Sequence, residues 1–298
     1  MRKLLYLLAL CLLFACQPTS TTKEIATTGV IVADPDTPTP LAFTQIQTSE
    51  AVVRSRTPIP DAAFTITVLF DNIHSDPSLQ TSWGFAALVE SDDHTLLFDT
   101  GEDGVILLNN MGELGVDPDA IETILLSHIH GDHTNGLYPL LETGIQPTIY
   151  IPHSFPAAFT RGMNPDLTVI EAEPGLLIHE CFYTTGEIDF EMPEQALIVD
   201  TPQGLVVITG CAHPGIVRII EHALELIGGH VYLVMGGFHL GNKSTSALED
   251  IIADFRRLGV QKVAPSHCTG EQAIAMFNAE YGADFIHSGV GHVLVIKQ

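Results

Sequence analysis

Residues 127–136 read Ser127-His128-Ile129-His130-Gly131-Asp132-His133-Thr134-Asn135-Gly136. Three histidines and one aspartate fall within six residues, directly after the apolar run Thr123–Leu126. Packing does not explain four such side chains together. Imidazole and carboxylate are the ligand set that suits zinc and related divalent ions. Gly131 and Gly136 permit the tight backbone that turns several side chains onto one point.

On either side of this segment, short β-rich runs alternate with helical patterns. Strands are expected at Phe64–Phe70, Gly84–Val89, Leu96–Asp99, Thr123–Leu126, Thr148–Ile151, Leu167–Ala172 and Leu176–Cys181. Further strands are expected at Ala196–Asp200, Leu205–Thr209, Val231–Met235, Lys262–Ala264 and His292–Ile296. Ser91-Asp92-Asp93-His94 and Thr201-Pro202-Gln203-Gly204 are turn-forming clusters and predict hairpins. Helices are expected at Val105–Leu114, Ile216–Leu226, Ser246–Leu258 and Glu271–Ala279. The second starts after Pro214 and stops at Gly228-Gly229, and the third opens on a Ser246/Glu249 capping box. Early hairpins followed by βαβ-like units imply an α/β sandwich with two sheets inside and helices outside.

Two later segments continue the chemistry. Thr209-Gly210-Cys211-Ala212-His213-Pro214-Gly215 and Ser266-His267-Cys268-Thr269-Gly270 each follow a strand and open a helix. Ligands gather at such strand ends in layered α/β proteins. His239 follows Gly236-Gly237 at another strand end, where a substrate-facing acid or oxyanion donor fits as well as a structural hydrogen bond.

The intact pattern His128-x-His130-x-Asp132-His133 resembles the signature of the metallo-β-lactamase superfamily, over most of residues 64–298. Leu97-Phe98-Asp99-Thr100-Gly101 looks like the turn that precedes the metal loop there, which makes Asp99 a residue that orients ligands. Thr209–Gly215, Gly236-Gly237-Phe238-His239-Leu240 and His267–Gly270 together resemble the branch named for dihydropterin-aminobenzene-ribofuranosyl phosphate synthase. The resemblance implies a four-layer αβ/βα sandwich with two mixed sheets. It also implies two divalent metal ions, zinc with manganese or iron as alternatives. His128, His130 and His213 would hold one, and Asp132, His133 and His267 the second. Many members carry a bridging Asp where this chain has Cys211, and a thiolate there can itself coordinate. Asp132 and His239 are the candidate catalytic residues, Asp132 by orienting a nucleophile or carrying its proton. Cys268 reads as packing.

The chain has 298 residues, 46% hydrophobic, which is ample for a buried core. Its 36 acidic and 12 basic residues give a formal charge of −24. That balance argues against nucleic acid, whose binding needs clustered Lys and Arg, and against adsorption to anionic membranes. The expected partner is a small-molecule substrate; oligomeric state is left open. Met1-Arg2-Lys3, the apolar run Leu4–Phe14 and Ala15-Cys16 read as a lipoprotein signal peptide at 1–15, with Cys16 lipidated. Residues 16–60, rich in Thr and Pro, read as a tether, and 61–298 as the metallo-β-lactamase-like domain. The protein is thus expected outside the cytoplasm, held to a membrane only by its lipid, with the outer membrane slightly favoured. Of five cysteines, Cys181, Cys211 and Cys268 stay in the domain, without the spacing of a disulfide framework.

Three functions follow. The first is a metal-dependent hydrolase that turns a metal-bound hydroxide on an ester, lactone, phosphodiester or similar bond. The second is a transferase or synthase acting on a pterin-type compound and an aryl-ribosyl phosphate. The third is a surface metal-binding protein without turnover.

Overall fold

The computed structural model describes residues 63–297. The expected signal peptide and tether lie outside them. Six strands run in chain order across the first sheet: β1 (Phe64–Phe70), β2 (Ala86–Glu90), β3 (Thr95–Phe98), β4 (Thr123–Leu125), β5 (Thr148–Ile151) and β6 (Val169–Glu171). The second sheet takes β7 (Leu177–His179), β8 (Phe182–Thr184), β9 (Leu197–Thr201), β10 (Gly204–Thr209), β11 (Val231–Gly237) and β12 (Lys262–Ser266). The last strand, β13 (Val293–Ile296), returns to pair antiparallel with β1. Both expected hairpins form, β2 with β3 and β9 with β10. Beyond them pairing turns parallel, β3 through β6 in one sheet and β10 through β12 in the other. Both sheets are therefore mixed.

Among the described residues, α1 (Gly104–Leu114), α3 (Leu137–Leu141), α4 (Ile216–Ile227), α5 (Thr245–Arg257) and α6 (Glu271–Tyr281) cover the outer faces, and the short α2 (Gly131–Thr134) lies in the loop after β4. Strand alternation divides the apolar residues among three interfaces. Leu197, Val199, Val206 and Ile208 point between the sheets, where they meet Phe64, Val68, Phe98 and Phe182. Their neighbours Ile198 and Val207 point the other way, onto Ile219 and Ile220 of α4, Phe255 of α5 and Phe277 of α6. Across the first sheet, Leu88, Leu97 and Ile124 pack on Leu107 and Met111 of α1 and on Leu137 and Leu140 of α3. Three apolar seams make four layers, an αβ/βα sandwich. Each fully buried Leu, Ile or Phe in them is worth about 1.5–3 kcal/mol of transfer energy.

Local signals place the helix ends. Asp103 accepts the backbone N–H groups of Val105 and Ile106 at the start of α1, and Gly115 ends it in the left-handed conformation. Helix α4 stops at Gly228, as the sequence predicts. The start of α5 differs: Ser244, not Ser246, caps it by accepting the N–H of Ala247. The expected strand Leu176–Cys181 is also corrected. It is two short antiparallel strands, β7 and β8, folded at Glu180 and Cys181. Among the described residues no helix is long and apolar enough to cross a membrane.

The parallel strands have a common consequence. The segments after β3, β4, β10, β11 and β12 all leave at C-terminal ends, and they carry Asp99, Ser127–His133, Cys211–His213, His239 and His267.

Candidate metal centre

The loop after β4 is held from below by Asp99, which is fully buried. Its carboxylate accepts the backbone N–H and the hydroxyl of Ser127, both at 2.7 Å, and the Nδ1–H of His133 at 2.7 Å. Because the Ser127 hydroxyl donates to Asp99, its oxygen is free to accept Nδ1–H of His128, 2.9 Å away. The two histidines thereby spend Nδ1–H on these partners and turn Nε2 toward the centre, the usual work of a carboxylate behind metal ligands. Close approach makes this possible at Gly210, where a Cβ would stand 2.2 Å from the Ser127 hydroxyl and 2.8 Å from Asp99 Oδ2. Gly131 and Gly136, expected to supply unusual backbone, both lack a positive φ. Gly136 is required for space instead: a Cβ there would meet the Thr100 carbonyl oxygen at 2.0 Å.

The loop after β10 is held by Glu194, a residue the sequence did not single out. Its fully buried carboxylate accepts three successive backbone N–H groups: Cys211 and Ala212 on Oε1 at 2.9 and 2.8 Å, and His213 on Oε2 at 2.8 Å. Burial raises Glu194 to about 7, partly offset by those donors. Its neighbour Gln195 reaches the other sheet, donating its backbone N–H to Ser127 O and its side-chain amide to Leu126 O. Glu194-Gln195 thus ties both ligand loops together across the two sheets. Ala212, with φ 60°, turns the chain so that its two neighbours both face the centre. Asp99, His239 and His267 also have positive φ, and such strain collects at functional sites.

Seven side chains converge. One ligand atom from each of Asp132, His133, Cys211 and His267 lies within 4.8 Å of the others, and the same holds for His128, Cys211 and His213. His130 Nδ1 is 3.1 Å from His128 Nε2, and its ring centroid is 4.9 Å from that of His213. All six residues implied as ligands of the two metals are therefore gathered. Cys211 belongs to both groups, and its Sγ is 3.3 Å from His133 Nε2. It occupies the shared position.

The donor set fits divalent cations. Nε2 of His213 and Nε2 of His267 are buried and have no hydrogen-bond partner. His267 Nδ1–H donates to Asn72 Oδ1 at 2.9 Å, which turns Nε2 toward Asp132 Oδ2, 3.4 Å away. Buried polar atoms are rarely left orphaned, and five imidazoles, one carboxylate and one thiol gathered together call for positive charge. The titration behaviour agrees. Burial pushes His128 well below its ordinary value, helped by His133 and His213. Burial lowers His213 to about 4, with His239 and His130 adding to the effect. Both present neutral imidazole, the ligating form. At His133 burial also acts downward, but the Asp99 and Asp132 carboxylates outweigh it and raise the group to about 10. Burial acts upward on Asp132, yet the His133 and His267 imidazoles beside it hold it well below the usual carboxylate range.

The candidate catalytic residues sit differently. Asp132 is within the ligand cluster, whereas His239 is exposed at its edge, its ring centroid 4.4 Å from that of His213. Cys268, expected to be packing, lies with His239 and Cys211 at ligand-like separations. At the opposite edge Trp83 rests on His267, ring centroids 4.8 Å apart. Glu194, Asn72 and Trp83 escaped the sequence reading because each is an isolated residue far in the chain from the ligand motifs. Only Trp83 carried a signal, as the single tryptophan of the chain.

The family model of the metallo-beta-lactamase superfamily matches residues 84–236, which include the His128–His133 motif, Cys211 and His213 but stop short of His239 and His267. A 7,8-dihydropterin-6-methyl-4-(beta-D-ribofuranosyl)-aminobenzene-5'-phosphate synthase of Methanocaldococcus jannaschii is 29% identical, over 69% of this chain and 88% of its own. Among solved structures, Tm1679, described as a metal-dependent hydrolase of the beta-lactamase superfamily, superposes with a TM-score of 0.66. It is 27% identical and is covered over its full length by 79% of this chain. The metallo-beta-lactamase fold protein YhfI from Bacillus subtilis shares the fold at a TM-score of 0.60 and 15% identity, over 78% of this chain and 99% of its own. With four layers, ligand loops at the strand ends and a family match spanning half its length, this chain belongs to the metallo-beta-lactamase superfamily.

Proposed function

We propose that this protein is a metal-dependent hydrolase of a small-molecule ester, lactone or phosphodiester. The observation that carries the reading is the pair of ligand groups meeting at Cys211, with His213 and His267 each aiming an unpartnered Nε2 inward. His128, His130 and His213 would hold one divalent ion, and Asp132, His133 and His267 the other, and the Cys211 thiolate could add to either. Zinc suits the mixed imidazole, carboxylate and thiolate set best, with manganese or iron as alternatives. Such ions, when bound, supply Lewis acidity and bring the pKa of coordinated water near 7.

The chain's own residues prepare the rest. Asp99 orients the ring of His133 directly and that of His128 through Ser127. Asp132, held strongly ionised, orients rather than carries protons. His239, raised by Cys268 beside it against the effect of burial, stands at the open edge where a leaving group can take a proton. We further place the protein outside the cytoplasm on a lipid at Cys16, a compartment in which a scavenging hydrolase is better suited than a pterin synthase.

A second reading, a synthase like the Methanocaldococcus relative, is favoured by that 29% identity. Turnover separates them. Zinc-loaded full-length protein is offered p-nitrophenyl acetate, bis(p-nitrophenyl) phosphate and a γ-lactone. Hydrolysis of at least one, lost with chelator and reduced at least 100-fold in His128→Ala, is expected. No hydrolysis of any, with condensation of a dihydropterin and an aryl-ribosyl phosphate, establishes the synthase instead.

A further inference from the structure

A row of rings runs through the ligand cluster, with His130 packed on its side against His128 and His213. Trp83 contacts His267 (4.8 Å), His267 contacts His133 (5.1 Å), His133 contacts His128 (4.2 Å), His128 contacts His213 (4.8 Å), and His213 contacts His239 (4.4 Å). Four central rings are buried or half-buried. The two ends, Trp83 and His239, are the ones open to solvent. They differ in character. At the His239 end the exposed imidazole stands beside Cys268 and His213. The Trp83 end offers a large aromatic face, 51% exposed.

A tryptophan lying against a ligand histidine offers a large flat face on which another planar group can stack. This one is also held still. Its backbone N–H donates to Glu102 Oε1 at 3.0 Å, and the Ser82 hydroxyl donates to the same oxygen. Two residues on, the Phe85 N–H donates to the Asp132 carbonyl, fastening the segment to the metal loop itself. The backbone that carries the ring is therefore tied to the metal loop, and the ring lies against a ligand histidine.

We propose that Trp83 is the substrate-recognising platform of this site and that the substrate is an aryl or heteroaryl compound. Its planar group stacks on Trp83, and its scissile or anionic group lies over the histidine row toward His239. The inference deepens the hydrolase reading by naming its substrate class, and it rests on that reading for the position of the scissile group alone.

Binding tests it without turnover. Because Trp83 is the single tryptophan, intrinsic fluorescence of the full-length protein reports that ring only. The probes are benzylphosphonate and cyclohexylmethylphosphonate, equal in charge and similar in size but different in flatness. The zinc-loaded wild type should bind the benzyl compound about tenfold tighter, with a change in Trp83 emission. By calorimetry, Trp83→Ala should lose that preference and Trp83→Phe should keep most of it. Since the side chain is half exposed, both variants should match wild-type melting temperature. Equal binding of the two probes by wild type, an emission that neither alters, or a preference that survives in Trp83→Ala overturns the proposal. Failure of the hydrolase reading shows separately, as absence of turnover in a protein that still prefers the planar probe.

Discussion

At the residue scale, proton accounting at the centre is the sharpest consequence of the geometry. His133 is raised to about 10 by two carboxylates that outweigh its burial, so the metal-free protein holds it protonated at pH 7. Cys211 is likewise kept a thiol, by the Cys268 sulfur beside it and by burial. A cation needs the bare Nε2 and the thiolate, so binding must expel both protons, and affinity must rise with pH up to about 10. Calorimetry of zinc binding at pH 7, in two buffers of different ionisation enthalpy, should give roughly two protons released per chain. Asp99→Asn removes the charge that Nδ1–H of His133 donates to, and should lower that number by about one. Release unchanged in the variant contradicts the role given to Asp99.

At the element scale, Glu194 is the prediction most exposed to test. Glu194→Ala leaves three buried N–H donors of the Cys211–His213 loop without acceptors, at about 1–3 kcal/mol each before relaxation. A loss of about 3–5 kcal/mol, or roughly 10 °C in Tm, is expected, with a smaller loss for Glu194→Gln, which retains one acceptor. A Tm within 1 °C of wild type for the alanine variant means the loop is held by something else. Elements themselves were largely legible, because β-branched apolar runs such as Phe64–Phe70 and Leu205–Thr209 and glycine stops such as Gly228 are local signals. What failed was also local in origin. Phe182–Thr184 continues the apolar run before it, so the fold at Glu180-Cys181 left no break in the pattern. Two serines two positions apart offered equivalent caps for α5, and the longer helix took Ser244. The short helix α2 consists of the metal motif itself, whose Gly, Asp and His residues carry no helical periodicity.

At the scale of the whole molecule, the centre exists only because two sheets are stacked. His128, His130, Asp132 and His133 leave the first sheet, while Cys211, His213 and His267 leave the second. The spacing within 128–133 was readable in sequence, since neighbours in the chain stay neighbours in space. The pairing of distant loops was readable only through family resemblance. The brace that sets their distance, Glu194-Gln195, was not readable at all: its meaning arises from contacts with residues 17 to 69 positions away. The central claim is that these two sets of side chains close around a pair of cations. An anomalous difference map from crystals of the zinc-loaded protein tests it directly. The account predicts two peaks roughly 3.5–4 Å apart, one among His128, His130 and His213 and one among Asp132, His133 and His267, with Cys211 Sγ adjoining both. A single peak, or none between the loops, contradicts it.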